Sequence, residues 1–288
     1  MSTKTEGVNF AQKQAYFEEL IEKQLECSTT TESLRKSCLY ALKTGGKRLR
    51  PLIVFLMKEA LGSKENLDEL ALCVEFFHTA SLIADDLPCM DNEEKRRNEP
   101  TTHKVFGEAA ALLSSYSLIV AGFEKISKAT EKSSLIDRNI RALSALEITC
   151  KAAGIEGATG GQFLDLFCEN PSKLLIEEII EKKTNTLFDV AFSLGWIYSG
   201  GDLKKLGIVS KAAREFGFAF QLIDDIKDYN EDKEKRKKIN GALFMGKEET
   251  LKKIEELFSS FESTLELLEI KKEGFLLLKE KALSYLKE

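Results

Sequence analysis

Gln221-Leu222-Ile223-Asp224-Asp225-Ile226-Lys227-Asp228 and, far upstream, Leu82-Ile83-Ala84-Asp85-Asp86-Leu87-Pro88-Cys89-Met90-Asp91 share one arrangement: an apolar, helix-like run that ends in carboxylates. Asp224 and Asp228 are four apart, so a helix sends both from one face. Unneutralised, such a pair repels, and the residues before it are too apolar for a solvated surface. A hard divalent cation resolves the conflict. Mg²⁺ prefers oxygen ligands, keeps several waters and binds through one or two carboxylates plus substrate phosphates. Asp85 and Asp91 are six apart, which a regular helix would place on different faces. Pro88 removes a backbone donor there, and a local bulge returns Asp91 to Asp85. Two such clusters predict a phosphorylated substrate gripped twice.

Around these runs helical spacing dominates. Phe17, Leu20, Ile21 and Leu25 form one apolar stripe, and Leu175, Ile176, Ile179 and Ile180 another. Asn170-Pro171 reads as a helix start, and Gly45-Gly46 and Gly200-Gly201 as helix ends. There are four prolines, none after Pro171, and no alternating run rich in β-branched residues, so no sheet is expected. The apolar stretch 109–123 holds three serines and falls short of the ~20 residues of a membrane span, so it is expected to be a buried helix. The charged run 230–238 is expected to be a mobile loop. No composition shift or linker divides the chain. The expected fold class is all-α, a single domain 1–288 of roughly ten or more mostly antiparallel helices.

Bulk properties narrow the function. The 288 residues are 43% hydrophobic and 31% charged, an ordinary globular balance. A net charge of −5 argues against a nucleic-acid partner. Six cysteines lack Cys-x-x-Cys spacing and only two histidines accompany them, which disfavours both zinc and a disulfide framework and suits a reducing cytoplasm. The polar N-terminal stretch 1–10 shows no secretory signal.

Cations accompany the acids. Gly45-Gly46-Lys47-Arg48-Leu49-Arg50-Pro51 puts three positive charges at a helix entry, where backbone N–H groups also favour anions. Arg96-Arg97 follows the upstream acids, and arginine grips phosphate bidentately. Each group alone could be surface decoration; together they fit two polyphosphates, one held through Mg²⁺ and one held directly.

With Gly161-Gln162-x2-Asp165, Lys183-Thr184 and Phe220-Gln221 added, the order and spacing from about Lys43 to Gly246 resemble the trans-polyprenyl diphosphate synthases, especially the short-chain farnesyl and geranylgeranyl types. The resemblance implies a homodimer built round a deep apolar cavity, of isoprenoid synthase type. It implies that Asp85, Asp86, Asp91, Asp224, Asp225 and Asp228 hold about three Mg²⁺ ions on an allylic diphosphate. Arg96, Lys183, Thr184, Gln221 and Lys238 would bind the same substrate, and Lys47, Arg50, His78 and Arg97 isopentenyl diphosphate. His78 directly follows Phe76 and Phe77, so a core role competes with phosphate binding. The implied reaction is ionisation, condensation and elimination, with the released diphosphate taking the proton. Product length is expected to follow the helix entering the first acids. In the family a bulky aromatic five residues before them stops growth at farnesyl. Here Ala80 stands there beside Ser81, with Phe77 a turn deeper as a lower floor, so geranylgeranyl diphosphate is the expected main product and farnesyl diphosphate the alternative.

Three departures stand out. Ala84 replaces a usual His, Ser114-Ser115-Tyr116 replaces a Gly-Asp, and the loop 229–237 is short and lacks a Gly-Lys element. Lys238 aligns with the later loop lysine, and Lys233 or Lys235 are candidate substitutes for the missing one. The departures keep open a non-catalytic partner subunit of a prenyl synthase. A terpene cyclase fits less well, because Lys47 and Arg50 would stand idle.

Overall fold

The computed structural model describes residues 9–24, 31–234 and 239–287. Its helices are α1 (Phe10–Lys23), α2 (Glu32–Lys43), α3 (Leu49–Ala60), α4 (Asp68–Asp85), α5 (Thr102–Phe106), α6 (Glu108–Lys132), α7 (Arg138–Ala153) and α8 (Ala158–Phe167). There follow α9 (Lys173–Ile179), a π-helical turn Ile180–Asn185, α10 (Thr186–Tyr198), α11 (Leu206–Lys227), α12 (Tyr229–Glu234), α13 (Gly241–Met245), α14 (Lys247–Leu268) and α15 (Glu273–Ser284). The all-α expectation holds. Against the expectation of no sheet, β1 (Lys95–Arg96) pairs antiparallel with β2 (Glu99–Pro100) in a two-strand ribbon. Arg97 and Asn98 make its turn, both at positive φ (55° and 68°), which gives the twist a two-residue hairpin needs. The expected stripe residue Leu25 and the expected ligand Lys238 lie outside the described residues.

Contacts divide the chain into two compact units, Met1–Phe55 with Lys64–Ala142, and Leu56–Ser63 with Leu143–Glu288. In the first, α4 and α6 form the spine. α4 is buried nearly all round, from Leu70 to Phe77 and again at Thr79, Ala80 and Ile83, which only a core helix tolerates. Phe77 meets Phe123 of α6 edge-on, ring centroids 5.0 Å apart, and occupies the space that a side chain at Gly122 would need. α4 stops where Leu87-Pro88 begins, because the residue before proline avoids helical torsions.

The stretch 109–123 is helical but only half buried. Ala111, Ser114, Ser115 and Leu118 face inward, whereas Leu113, Tyr116 and Val120 are 52%, 56% and 69% exposed. Among the described residues α6 is the one helix long and apolar enough to cross a membrane, by length and composition only. The serines explain its inward face: Ser114 Oγ donates to Ser37 Oγ of α2 (2.7 Å), and Ser115 Oγ to the Ala80 carbonyl of α4 (2.9 Å).

The second unit is centred on α10, where all residues but Thr186 and Asp189 are buried. Phe188 and Phe192 join Phe216, Phe261 and Phe275 in contacts 5.5–6.4 Å between centroids, each such ring removing ~150–250 Å² from water. α9 begins at Lys173, capped by Ser172, whose Oγ accepts from Leu175 N (3.2 Å); Asn170-Pro171 lies just ahead of that cap rather than forming it. The expected loop 230–238 starts as helix: α12 continues α11 through Asp232 N donating to Asp228 O (2.8 Å), with Lys247 Nζ 4.3 Å from the Tyr229 ring centre.

Candidate active site

In the first unit the upstream acids leave the end of α4. Asp91 N donates to the carbonyl of Asp85 (2.9 Å), so the turn at Pro88 returns Asp91 to Asp85, as its spacing required. Asp85 is half-buried and Asp91 exposed. Asp86 differs: it is buried, and its Oδ1 accepts from Arg96 Nε (3.0 Å) and Nη2. Burial raises its pKa against the pull of Arg96.

The basic loop before α3 is shaped by positive φ at Gly45 (79°), Gly46 (128°) and Arg48 (50°). Position 46 favours glycine because a φ of 128° strains any L side chain, and a Cβ there would also displace the Arg97 guanidinium. Arg97 Nη1 donates to the Gly45 carbonyl, which ties the ribbon to the loop. Of the three expected cations at this entry, Arg48 turns inward. It is 3% exposed and donates to Glu75 Oε1 (2.5 Å), Glu18 Oε1 (2.7 Å) and the Leu42 carbonyl (2.5 Å). A buried guanidinium needs such partners, since an uncompensated charge there costs several kcal/mol. Lys47 and Arg50 remain half-buried beside it. His78, one turn after Glu75, is half-buried, and desolvation together with Arg50, Arg97, Arg48 and Arg96 holds its pKa well below 6.5. Of these arginines Arg48 is paired with Glu75 and Glu18, and Arg96 with Asp86. Glu75 and its pairing with Arg48 escaped sequence reasoning because the pair spans 27 positions.

Ala80 is wholly buried, and its carbonyl accepts from Ser115 of α6 in the α4–α6 seam; Ser81 is half-buried, its hydroxyl donating to His78 O (2.9 Å).

In the second unit Gly161 of α8 lies against the π-turn, where a Cβ would stand 2.4 Å from Lys183 N. Lys183 Nζ reaches Asp165 Oδ2 (2.6 Å). Thr184 Oγ1 donates to Gln221 Oε1 (2.8 Å), and Gln221 Nε2 to Asp225 Oδ1 (2.9 Å). Asp225 Oδ2 accepts from Gly241 N (2.8 Å), and Asn240 Nδ2 donates to Asp225 O (3.0 Å) and Asp232 Oδ2 (2.9 Å). Burial pushes the Asp225 carboxyl up to about 7. Asp224 is half-buried and Asp228 exposed, with Asp228 N bonded to Asp224 O (2.9 Å). Gln162 buries both polar atoms of its amide with no partner in the protein.

A family model described as polyprenyl synthetase matches residues 31–271. The chain belongs to the polyprenyl synthetase family. It is 39% identical over 222 residues to farnesyl diphosphate synthase of Bacillus subtilis, covering 75% of this chain and 74% of that one. It is 38% identical over 215 residues to geranylgeranyl pyrophosphate synthase 4 of Arabidopsis thaliana, covering 73% of this chain but 56% of that longer protein. Among solved structures, geranyltranstransferase of Thermotoga maritima is similar with a TM-score of 0.82 at 29% identity, over 97% of this chain and 99% of that one. Geranyltransferase of Legionella pneumophila gives 0.83 at 25% identity, over 96% and 95%. This polyprenyl synthetase has the isoprenoid synthase fold and is a short-chain trans-prenyltransferase.

Proposed function

We propose that this enzyme condenses isopentenyl diphosphate with an allylic diphosphate, with geranylgeranyl diphosphate as main product. The observation that carries the reading is the pair of acid turns, Asp85 with Asp91 and Asp224 with Asp228, each fixed by a backbone hydrogen bond. Carboxylates in such pairs suit Mg²⁺, which is bound by one or two carboxylates with phosphate oxygens completing the shell. Bound Mg²⁺ would supply charge neutralisation at the leaving diphosphate, with about three ions per site. Asp86 and Asp225, expected in the same ligand set, are buried, whereas Asp85 and Asp224 are half-buried and Asp91 and Asp228 exposed, so the ligands assigned are Asp85, Asp91, Asp224 and Asp228.

Arg96 and Lys183 grip the allylic diphosphate and receive its developing charge. Thr184 and Gln221 orient it. Lys47, Arg50, Arg97 and His78 seat isopentenyl diphosphate so that its double bond lies in reach of the allylic carbon. Apolar walls exclude the water that would quench the cation. The family match crosses both contact units, which supports treating 1–288 as one domain. The apolar outer face of α6 supports a homodimer, and a cytoplasmic location fits the cysteine pattern.

The longer product rests on Ala80, which stands where the family resemblance places a bulky aromatic; Phe77, packed against Gly122 and Phe123 of α6, belongs to the seam. Farnesyl diphosphate is the second reading, favoured by Ala80 lying in the helix seam rather than opening the floor. Incubation with Mg²⁺, isopentenyl diphosphate and allylic primers, followed by product chromatography, tests both. Chelator should abolish turnover, and Asp85→Ala should lower kcat by orders of magnitude, since several kcal/mol of leaving-group stabilisation disappear. Full activity without divalent metal would overturn the assignment, and a protein that turns over nothing alone would favour the partner-subunit reading.

A further inference from the structure

We infer that Asp225 is a positioning residue that sets the amide orientation of Gln221, and does not act as a metal ligand; the inference rests on the function proposed above. Its two carboxylate oxygens have separate tasks: Oδ1 accepts from Gln221 Nε2 and Oδ2 from Gly241 N. Its carbonyl accepts from the buried Asn240, which also holds Asp232. The side chain is 7% exposed. Turning it out to a cation would leave the Gly241 N–H and one amide proton of Gln221 without their acceptor. In place and ionised, it admits one orientation of the Gln221 amide, with Nε2 toward Asp225 and Oε1 toward Thr184. Gln221 therefore meets the substrate in one fixed donor and acceptor pattern, and the cost of ordering it is met before substrate arrives.

The geometry allows a reciprocal exchange. In Asp225→Asn, an N–H would face the N–H of Gln221, so Gln221 must flip or lose its bond. In Gln221→Glu, two carboxylates would face each other. In the double variant, the amide introduced at position 225 could accept from Gly241 N through its oxygen. Its nitrogen would then donate to the carboxylate introduced at position 221, whose other oxygen accepts from Thr184.

The experiment measures kcat, KM for the allylic diphosphate, half-saturating Mg²⁺ and melting temperature for wild type, Asp225→Asn, Gln221→Glu, the double variant and Asp224→Asn. Each of the first two variants should lose about ten- to a hundredfold in kcat/KM for the allylic substrate, the scale of a lost charged hydrogen bond. The double variant should regain about tenfold over Gln221→Glu alone and should recover its melting temperature. Half-saturating Mg²⁺ should stay within about twofold of wild type in Asp225→Asn and rise in Asp224→Asn. If Asp225→Asn raised the Mg²⁺ requirement as Asp224→Asn does, Asp225 would be a ligand. A double variant worse than Gln221→Glu would likewise overturn the inference, and that comparison stands even if Asp225→Asn alone fails to fold. An inactive wild type would instead overturn the functional reading.

Discussion

His78 carries the clearest electrostatic signal at the scale of one residue. With its pKa held well below 6.5 by desolvation and four arginines, the folded protein keeps it neutral where the unfolded chain protonates it. The unfolded state then binds the extra proton, so stability falls as pH drops through about 6.5 toward the folded pKa. A diphosphate cancels the arginine field and should draw that proton in. Calorimetric titration of isopentenyl diphosphate at pH about 6, in buffers of different ionisation heat, should show net proton uptake that vanishes in His78→Gln. Equal uptake in both proteins would mean another group titrates. The sequence pointed to His78 through its place ahead of Asp85. It could not tell which of Lys47, Arg48 and Arg50 turns inward, because that is decided by Glu75 and Glu18, 27 and 30 positions away.

Between elements, α8 lies tight against the π-turn. A methyl at Gly161 has nowhere to go, since Lys183 N would lie 2.4 Å from it and backbone cannot rotate aside. Gly161→Ala should cost about 1–3 kcal/mol, seen as a lower melting temperature. It should also depress kcat, because the displaced atoms are backbone of Lys182 and Lys183, and the Lys183 side chain moves with them. Gly207→Ala in the first turn of α11, with nothing within 4 Å, is the control and should hold or raise the melting temperature. An unchanged kcat in Gly161→Ala would separate this packing from the site. The π-turn itself was not legible: Ile176, Ile179 and Ile180 keep an ordinary helical period, and the widened turn depends on fitting a neighbouring helix. Pro88, by contrast, announced its turn because a missing N–H is a local fact. The ribbon at Lys95–Pro100 was missed since Arg97 is an unusual residue for positive φ.

For the whole molecule, composition and period sufficed for the helical class, and motif order for the chemistry. What they misjudged was the outer side of α6, because an apolar helix reads the same whether its cover is the same chain or another. Leu113, Tyr116 and Val120 recur at spacings of three and four and stay open to water. Val120→Asp should shift the protein toward monomer in sedimentation; an unchanged sedimentation coefficient would show that this face is not the seam. If it is the seam, mass action enters every measurement made on the enzyme. Association stabilises folded chains in proportion to the logarithm of their own concentration, so the melting temperature should climb with protein concentration. Specific activity should then sag on dilution, and a rate measured in a dilute assay would understate the rate in a crowded cell.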